Sequence, residues 1–152
     1  VGNENLTNYN INVTIKNDDL KSFIAKGDID VSRNNSKIDV NLDFNKFSLS
    51  PLNPLLDGVL DKIRGDATGN VKVTGDLRQP DMDGKLTLNK SGLGIPYLNI
   101  NCDFNDKASV TLKDQSFIFN KIKLTDTKYR SKGELNGSIS HINFSNWSLD
   151  WF

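Results

Sequence analysis

The sequence holds few side chains that could carry out acid–base or nucleophilic chemistry. Its one histidine, His141, stands beside Ser138 and Ser140 in a single short run. Neighbours along a strand do not have the geometry of a catalytic triad, in which the groups converge from separate segments. His141 also continues the alternation of Leu135 and Ile139. We therefore expect it to lie at an edge or to be partly covered, rather than to act as a base.

The remaining chemistry-bearing residues do not form a recognisable site. One cysteine excludes an internal disulfide framework and a multi-cysteine metal site, so Cys102 is expected to pack as a small apolar side chain. The glycines of 92–95 precede Pro96 and not a helix, which excludes a phosphate-binding loop. Asp57 and Asp61 are better explained as residues on the solvent-exposed face of a helix than as the two catalytic carboxylates of a glycosidase. The sequence predicts no enzyme activity, no metal and no cofactor.

Charge and composition narrow the class of protein further. The 152 residues carry 19 Lys+Arg and 19 Asp+Glu, whereas a nucleic-acid partner normally requires a basic surplus. Hydrophobic residues make up 36%, below the usual level of about 45–50%, so the chain can fold only if they are sorted onto one face. No run approaches the ~20 apolar residues of a membrane-spanning helix. We interpret residues 1–152 as one domain cut from a larger protein.

Period-two alternation of apolar and polar residues dominates the chain and predicts strands. Examples are the odd positions of 9–15 and the even positions of 38–44, and the phase flips near Asn45-Lys46, which predicts a bulge. The pattern indicates an antiparallel meander with one apolar and one polar face. A unit of Gly, polar, apolar, polar, apolar begins at Gly27, Gly69 and Gly84. It fits either a generic meander or a sheet that coils continuously.

One segment breaks the alternation and predicts a short amphipathic helix around 51–64. Its apolar residues fall at i, i+3, i+4, i+7, i+8 and i+11, from Leu52 to Ile63. Ser50 or Asn53 could cap its start and Gly65 could end it. The expected organisation is N-terminal strands over 1–49, a helix over 50–65 and repetitive β-structure over 66–152.

Several motifs from Leu49 onward follow one order along the chain. They are the helix segment 50–56, the strand start 63–71, a Thr-Gly-x-Leu-x-x-Pro-x-x-x-Gly connection over 74–84, and the pieces 124–127 and 133–139. In this order they resemble the C-terminal region of the TamB family, the inner-membrane subunit of the bacterial translocation and assembly module in the AsmA-like superfamily. Residues 1–48 agree with that family only in their strand pattern.

The resemblance implies a fold, a location and partners. The implied fold is an all-β antiparallel meander curled into an elongated U-shaped, β-taco-like groove with an apolar inside. The implied location is the periplasm of a Gram-negative bacterium, in a protein anchored in the inner membrane by a helix outside this segment. An outer-membrane barrel protein of the TamA or BamA type is the implied partner. Family members are implicated in outer-membrane protein assembly, secretion and phospholipid movement, and offer no catalytic residues to carry over.

Two kinds of ligand fit these patterns, and a purely structural β-domain remains a third interpretation. A sheet with one apolar and one polar face must cover the apolar face with a second sheet, a helix or an acyl chain. For a phospholipid, the predicted groove lining, with Ile100 at mid-groove, is Val71, Val73, Met82, Leu86, Leu88, Leu98, Ile100, Phe104, Val110, Leu112, Phe117 and Phe119.

A chaperone-like module would instead bind apolar β-strands of outer-membrane proteins through an exposed edge. The alternating stretch 144–151 predicts such an edge, and an unpaired edge invites self-association. The competing interpretation of this stretch is an aromatic patch that meets lipid or a partner.

Overall fold

The computed structural model describes residues 7–17, 20–32, 34–142 and 145–151, and within them the chain is almost entirely β-structure. Two 3₁₀ helices, Ser50–Leu56 and Pro96–Leu98, are the only helical turns in that part. The predicted all-β antiparallel class is confirmed. The strands are β1 Asn8–Asn17, β2 Leu20–Asp30, β3 Lys37–Ser48, β4 Asp61–Asp76, β5 Asp81–Ile95, β6 Ile100–Phe104, β7 Ala108–Asp114, β8 Ser116–Asp126, β9 Lys132–Ile142 and β10 Ser145–Trp151.

All described strands belong to one antiparallel sheet in the order β1-β2-β3-β4-β5-β6-β8-β9-β10, with β7 also between β5 and β8. β6 pairs with residues 92–95 of β5, and β7 pairs with residues 82–88 of the same strand. β6 and β7 are therefore two halves of one strand, interrupted at 105–107. The sheet is a plain meander, so its connections alternate between two rims. One rim, called the cover rim, carries residues 49–60, 96–99 and 127–131.

The register aligns the apolar residues in rows that cross the sheet at right angles to the strands. Partners in one row share a face, because directly paired residues of antiparallel strands point the same way. At a strand spacing of about 4.8 Å, a row from β1 to β9 is about 34 Å long. One row is Val13, Ala25, Leu42, Val71, Gly84, Leu112, Phe117 and Ile139; the next is Ile15, Phe23, Phe44, Gly69, Leu86, Val110, Phe119 and Gly137.

The apolar face of the sheet is concave and is covered in part by the connection from β3 to β4. Leu60, the last residue before β4, lines the same small pocket as Leu135 and Ile139 of β9. The buried core runs from β4 to β9. On β1, by contrast, Tyr9 and Val13 are 47% and 45% exposed. The curled sheet therefore covers one part of its apolar face and leaves the β1 end open.

Glycines within the rows allow the tight curl. A Cβ atom at Gly84 would lie 2.7 Å from the Cα of Val71 on the neighbouring strand, closer than real Cβ contacts. Gly69 has a φ of 155° and would likewise meet the backbone of β5. The repeated unit that begins at Gly27, Gly69 and Gly84 therefore places glycine where neighbouring strands approach closely, and continuous coiling of the sheet stays a prediction.

The close approach at Gly84 gives a stability prediction. Gly84→Ala should lower the free energy of unfolding by about 1–3 kcal/mol, because the added methyl group overpacks against β4. Urea denaturation followed by far-UV circular dichroism measures this. The control is Lys85→Ala, next in the chain on the exposed outer face, where a change within about 0.5 kcal/mol is expected. Equal stability of the two variants would show that the strands have room to separate.

The predicted helix over 51–64 is wrong in type and extent. The helical turns are 3₁₀ and end at Leu56, residues 57–59 form a turn, and β4 begins at Asp61. Pro54 lies inside the helix, where it lacks an N–H to donate, and Gly58 has a φ of 88°. Neither Ser50 nor Asn53 caps the start, since the N-cap is Leu49 and its side chain makes no cap hydrogen bond.

Two other predictions concern irregular strands. The bulge near Asn45-Lys46 is confirmed by a register shift between Phe44 and Phe47, with Lys46 at a φ of 51°. The stretch 144–151 contains strand β10, Ser145–Trp151. Phe144 and the β10 side chains lie outside the described part of the chain, so the aromatic-patch interpretation stays a prediction.

Candidate functional site

An apolar cavity of about 160 Å³ lies between the curled sheet and the segment formed by residues 49–60, here called the cover segment. The cover segment contributes five leucines and the sheet contributes side chains from β4 through β9. The wall is made almost entirely of hydrocarbon side chains. It consists of Leu49, Leu52, Leu55, Leu56, Leu60, Ile63, Arg64, Leu86, Leu88, Ser91, Gly92, Leu93, Phe104, Val110, Phe117, Phe119 and Ile139.

Most of the predicted lining residues lie on this face. Six of the twelve line the cavity itself: Leu86, Leu88, Phe104, Val110, Phe117 and Phe119. Val71, Met82 and Leu112 are buried in the adjoining core, and Val73 packs half-buried against it. These ten residues therefore belong to one apolar surface, and contact of this surface with lipid stays a prediction.

Leu98 and Ile100 are misplaced by the sequence prediction. Leu98 belongs to the second 3₁₀ helix and is 43% exposed, and Ile100 is the first residue of β6 and is 37% exposed. Pro96 starts that helix and Asn99 adopts a left-handed φ of 52°, so the chain turns before β6 begins. Ile100 lies at the cover rim and not at mid-groove.

Sequence reasoning missed the part of the wall that follows an irregularity in β5. Lys90 has a φ of 50°, after which Ser91 to Ile95 are all buried. Leu93 lies between Gly92 and Gly94, where apolar and polar residues do not alternate clearly, so the sequence pattern did not identify it as part of the wall. The Ser91 hydroxyl is buried and has no hydrogen-bond partner among the described residues. The leucines of the cover segment were recognised as an apolar stripe but not as one wall of a cavity.

The cover segment is held to the sheet by the side chain of Asn53. The Ile63 amide donates to Asn53 Oδ1 at 2.7 Å, and Asn53 Nδ2 donates to the Ile63 carbonyl at 3.1 Å. β3 stops pairing with β4 at Ser48, so the Asn53 amide acts as the strand neighbour for the start of β4. Leu55 is 55% exposed. The cover segment thus depends on few polar contacts and on partial apolar burial.

This attachment gives a prediction about local stability. Asn53→Ala should increase hydrogen exchange at the Ile63 amide by about one order of magnitude or more, because an unpaired backbone group costs about 1–3 kcal/mol. Exchange in β8 and β9 should stay unchanged. Asn70→Ala is the matched control, since the side-chain amide of Asn70 donates to the carboxylate of the exposed Asp43 at 2.5 Å. Equal Ile63 exchange in the two variants would contradict the attachment role of Asn53.

Arg64 fixes three strands beside the cavity. Its guanidinium crosses Gly92 of β5 and donates to Asp103 Oδ1 at 2.7 Å and to Asn101 Oδ1 at 2.9 Å on β6. A Cβ at Gly92 would lie 2.6 Å from Arg64 Nη2, so glycine is needed where the side chain passes. A guanidinium with several partners restrains their relative positions. Arg64 therefore ties β4 to β6 across Gly92 of β5.

Burial shifts the pKa of two titratable side chains, Cys102 and His141, in the direction that favours their neutral forms. Burial raises the pKa of the Cys102 thiol, whose Sγ lies 3.7 Å from the Leu93 carbonyl oxygen, so the expected apolar packing of Cys102 is confirmed. Burial also lowers the pKa of His141, which is only 3% exposed. The expectation of an edge or partly covered histidine is wrong, because Phe117 packs against the ring and Gln115 accepts from the His141 backbone amide.

No group of three or more His, Cys, Asp or Glu residues that could hold a metal ion occurs within the described residues. Asp57 is exposed in the turn after the first 3₁₀ helix, and Asp61 begins β4. The two carboxylates therefore do not share the helix face on which the sequence placed them.

A single sheet that curls around an apolar interior defines a groove-type β-protein. A family model described as the TamB N-terminal domain matches residues 3–88, more than half of the sequence, so the chain belongs to the TamB family. No curated protein and no solved structure matches the chain. Family membership connects the chain with the translocation and assembly module, whose TamB subunits are anchored in the inner membrane and span the periplasm.

The family prediction is confirmed, but the predicted region is wrong. The match is to the N-terminal and not the C-terminal domain, and it includes residues 3–48, which the motifs left unassigned. Repeated strand units share the same alternation and turn residues, so they identify the family better than the position within it. None of the described helices is long and apolar enough to cross a membrane.

Proposed function

We propose that this chain is a non-enzymatic section of an apolar conduit that carries phospholipid acyl chains between the inner and outer membranes. The observation that carries the proposal is the continuity of the apolar rows across the sheet. Each row is about 34 Å long, whereas one leaflet of a bilayer has a hydrocarbon depth of about 15 Å. A whole acyl chain is therefore shorter than the apolar path.

Binding of an acyl chain to this apolar surface needs no specific polar contact. Each buried methylene contributes about 0.8 kcal/mol, so an apolar surface holds an acyl chain through hydrocarbon contact alone. The cavity of about 160 Å³ is comparable in volume to an engineered cavity of about 150 Å³ that accepts benzene. It accommodates only a short piece of an acyl chain. Displacement of the cover segment would open the remaining length.

Family membership supports the cellular setting of the proposal. TamB proteins belong to a translocation and assembly module, so we place this section in the periplasm of a Gram-negative bacterium. The proposed outer-membrane partner is a barrel protein of the TamA or BamA type. This partner would receive lipid from the conduit, or it would assemble outer-membrane proteins with the assistance of this chain.

The conduit is tested by a charge on its inner face. Phe117 is half-buried and lines the cavity, whereas Ile118 faces the outer side of the same strand. Phe117→Asp should reduce copurified phospholipid, measured by mass spectrometry of lipid extracts, at least about tenfold, because a carboxylate is costly beside hydrocarbon. Ile118→Asp should retain it. Circular dichroism verifies folding, and Phe117→Ser replaces the aspartate if folding fails. Equal lipid content in folded Phe117 and Ile118 variants would refute the conduit.

A second candidate function rests on β1, which is an edge strand among the described residues. Residues 8–15 contain no charge, and Tyr9, Val13 and Ile15 are exposed on that strand. Natural edge strands are usually protected by lysine, proline or bulges. A strand of an outer-membrane protein could therefore extend the sheet at β1, as in a chaperone-like module. This alternative uses the backbone edge and not the groove.

Binding of a synthetic peptide with alternating apolar residues separates the two functions. If the edge is the site, Thr14→Lys, a substitution on the exposed polar face of β1, should weaken peptide binding in isothermal titration calorimetry about tenfold, because an edge lysine opposes strand addition. Phe117→Asp should then leave peptide binding intact. Unchanged peptide affinity in Thr14→Lys would exclude the β1 edge as the docking site.

A further inference from the structure

Two neighbouring turns on the cover rim expose large side chains to solvent. We call residues 96–100 and 127–132 together the tip patch. Tyr97 and Tyr129 are 88% and 75% exposed, and Leu98 and Ile100 are also exposed. The amphipathic ring of tyrosine suits a boundary between water and an apolar phase. These side chains contribute nothing to the buried core.

Hydrogen bonds hold the two turns in fixed relative positions. The backbone amide and the hydroxyl of Thr127 donate to the Asn101 carbonyl at 2.9 and 3.1 Å. Asn101 Oδ1 in turn accepts from Arg64. The Tyr129 amide donates to Asp126 Oδ2 at 2.6 Å, which shapes the second turn. The exposed rings are therefore carried on ordered turns attached to the sheet.

The charge of the tip patch is unevenly distributed. Lys128, Arg130 and Lys132 are exposed within five residues of one another, whereas residues 96–100 carry no charge. The Lys128 ammonium lies 5.1 Å from the centroid of the Tyr129 ring. The adjacent Asp126 carboxylate is engaged by backbone amides. On the opposite rim, by contrast, Arg78 pairs with Asp76 at 3.4 Å.

We propose that the tip patch docks on the headgroup region of an anionic phospholipid membrane. The tyrosines and Leu98 would enter the interfacial layer, and the three basic side chains would contact anionic headgroups. Charge complementarity favours a lipid surface, because the basic cluster stands next to an uncharged apolar tip. The cover segment lies on the same rim. Docking would therefore place the cover segment next to the bilayer.

Vesicle cosedimentation tests this proposal with the 152-residue chain. The chain should bind vesicles of phosphatidylcholine with about 30% phosphatidylglycerol, bind pure phosphatidylcholine more weakly, and lose affinity as salt rises. Lys128→Gln with Arg130→Gln should reduce binding to anionic vesicles about fivefold per residue. Tyr97→Ser with Tyr129→Ser should weaken binding to both kinds of vesicle.

Matched controls lie elsewhere on the surface. Tyr9→Ser replaces an exposed tyrosine on β1, and Lys72→Gln removes an exposed charge on β4; both should bind like the unsubstituted chain. The tip-patch variants should still copurify phospholipid, so that failure of the conduit and failure of docking are distinguishable. The proposal is overturned if the tip-patch variants bind anionic vesicles as tightly as the control variants do. It is also overturned if these variants keep their vesicle binding and lose only the binding of another protein.

Discussion

The structure depends on keeping the apolar side chains of one sheet on a single face. The side-chain period of a strand is two, so a slip of one residue in any ladder would turn that strand's apolar set toward water. From β1 to β9 the described register keeps the apolar side chains on one face. Irregular positions return the alternation to that face where it would otherwise change. The bulge at Lys46 and the left-handed residue at Lys90 are such points. Continuity of the rows is therefore a property of the whole meander.

A one-faced sheet must still cover its apolar side, and this chain does so by curvature together with one short segment. Gly84 permits the close approach of β4 and β5, while Arg64 restrains β4, β5 and β6 from outside. The cover segment closes the concave side without building a second sheet. Its polar attachment to β4 consists of the two Asn53 hydrogen bonds and one bond from the Leu49 amide to the Gly65 carbonyl, in contrast to the many hydrogen bonds of the strands. Opening the groove therefore need not disrupt the sheet.

Much of the fold and of the groove surface follows from alternation, which is a local property. The bulge near Lys46 and the apolar packing of Cys102 could be predicted because neighbouring residues determine them. The helix was mispredicted because its stripe of leucines has helical spacing, while Pro54 and Gly58 prevent an α-helix. The burial of Leu98 and of His141 was predicted wrongly. Turn geometry decides the exposure of Leu98, and packing against another strand decides that of His141. Curvature and cavity shape arise only from contacts between remote strands.

The right angle between rows and strands makes the groove modular. Each strand contributes only one residue to a given row, so the length of the apolar path is set by the number of strands and not by their individual lengths. A hairpin inserted with matching phase lengthens the path by about 10 Å and leaves the cross-section unchanged. A protein built in this way can be adjusted to the width of the compartment it crosses by duplicating or deleting hairpins.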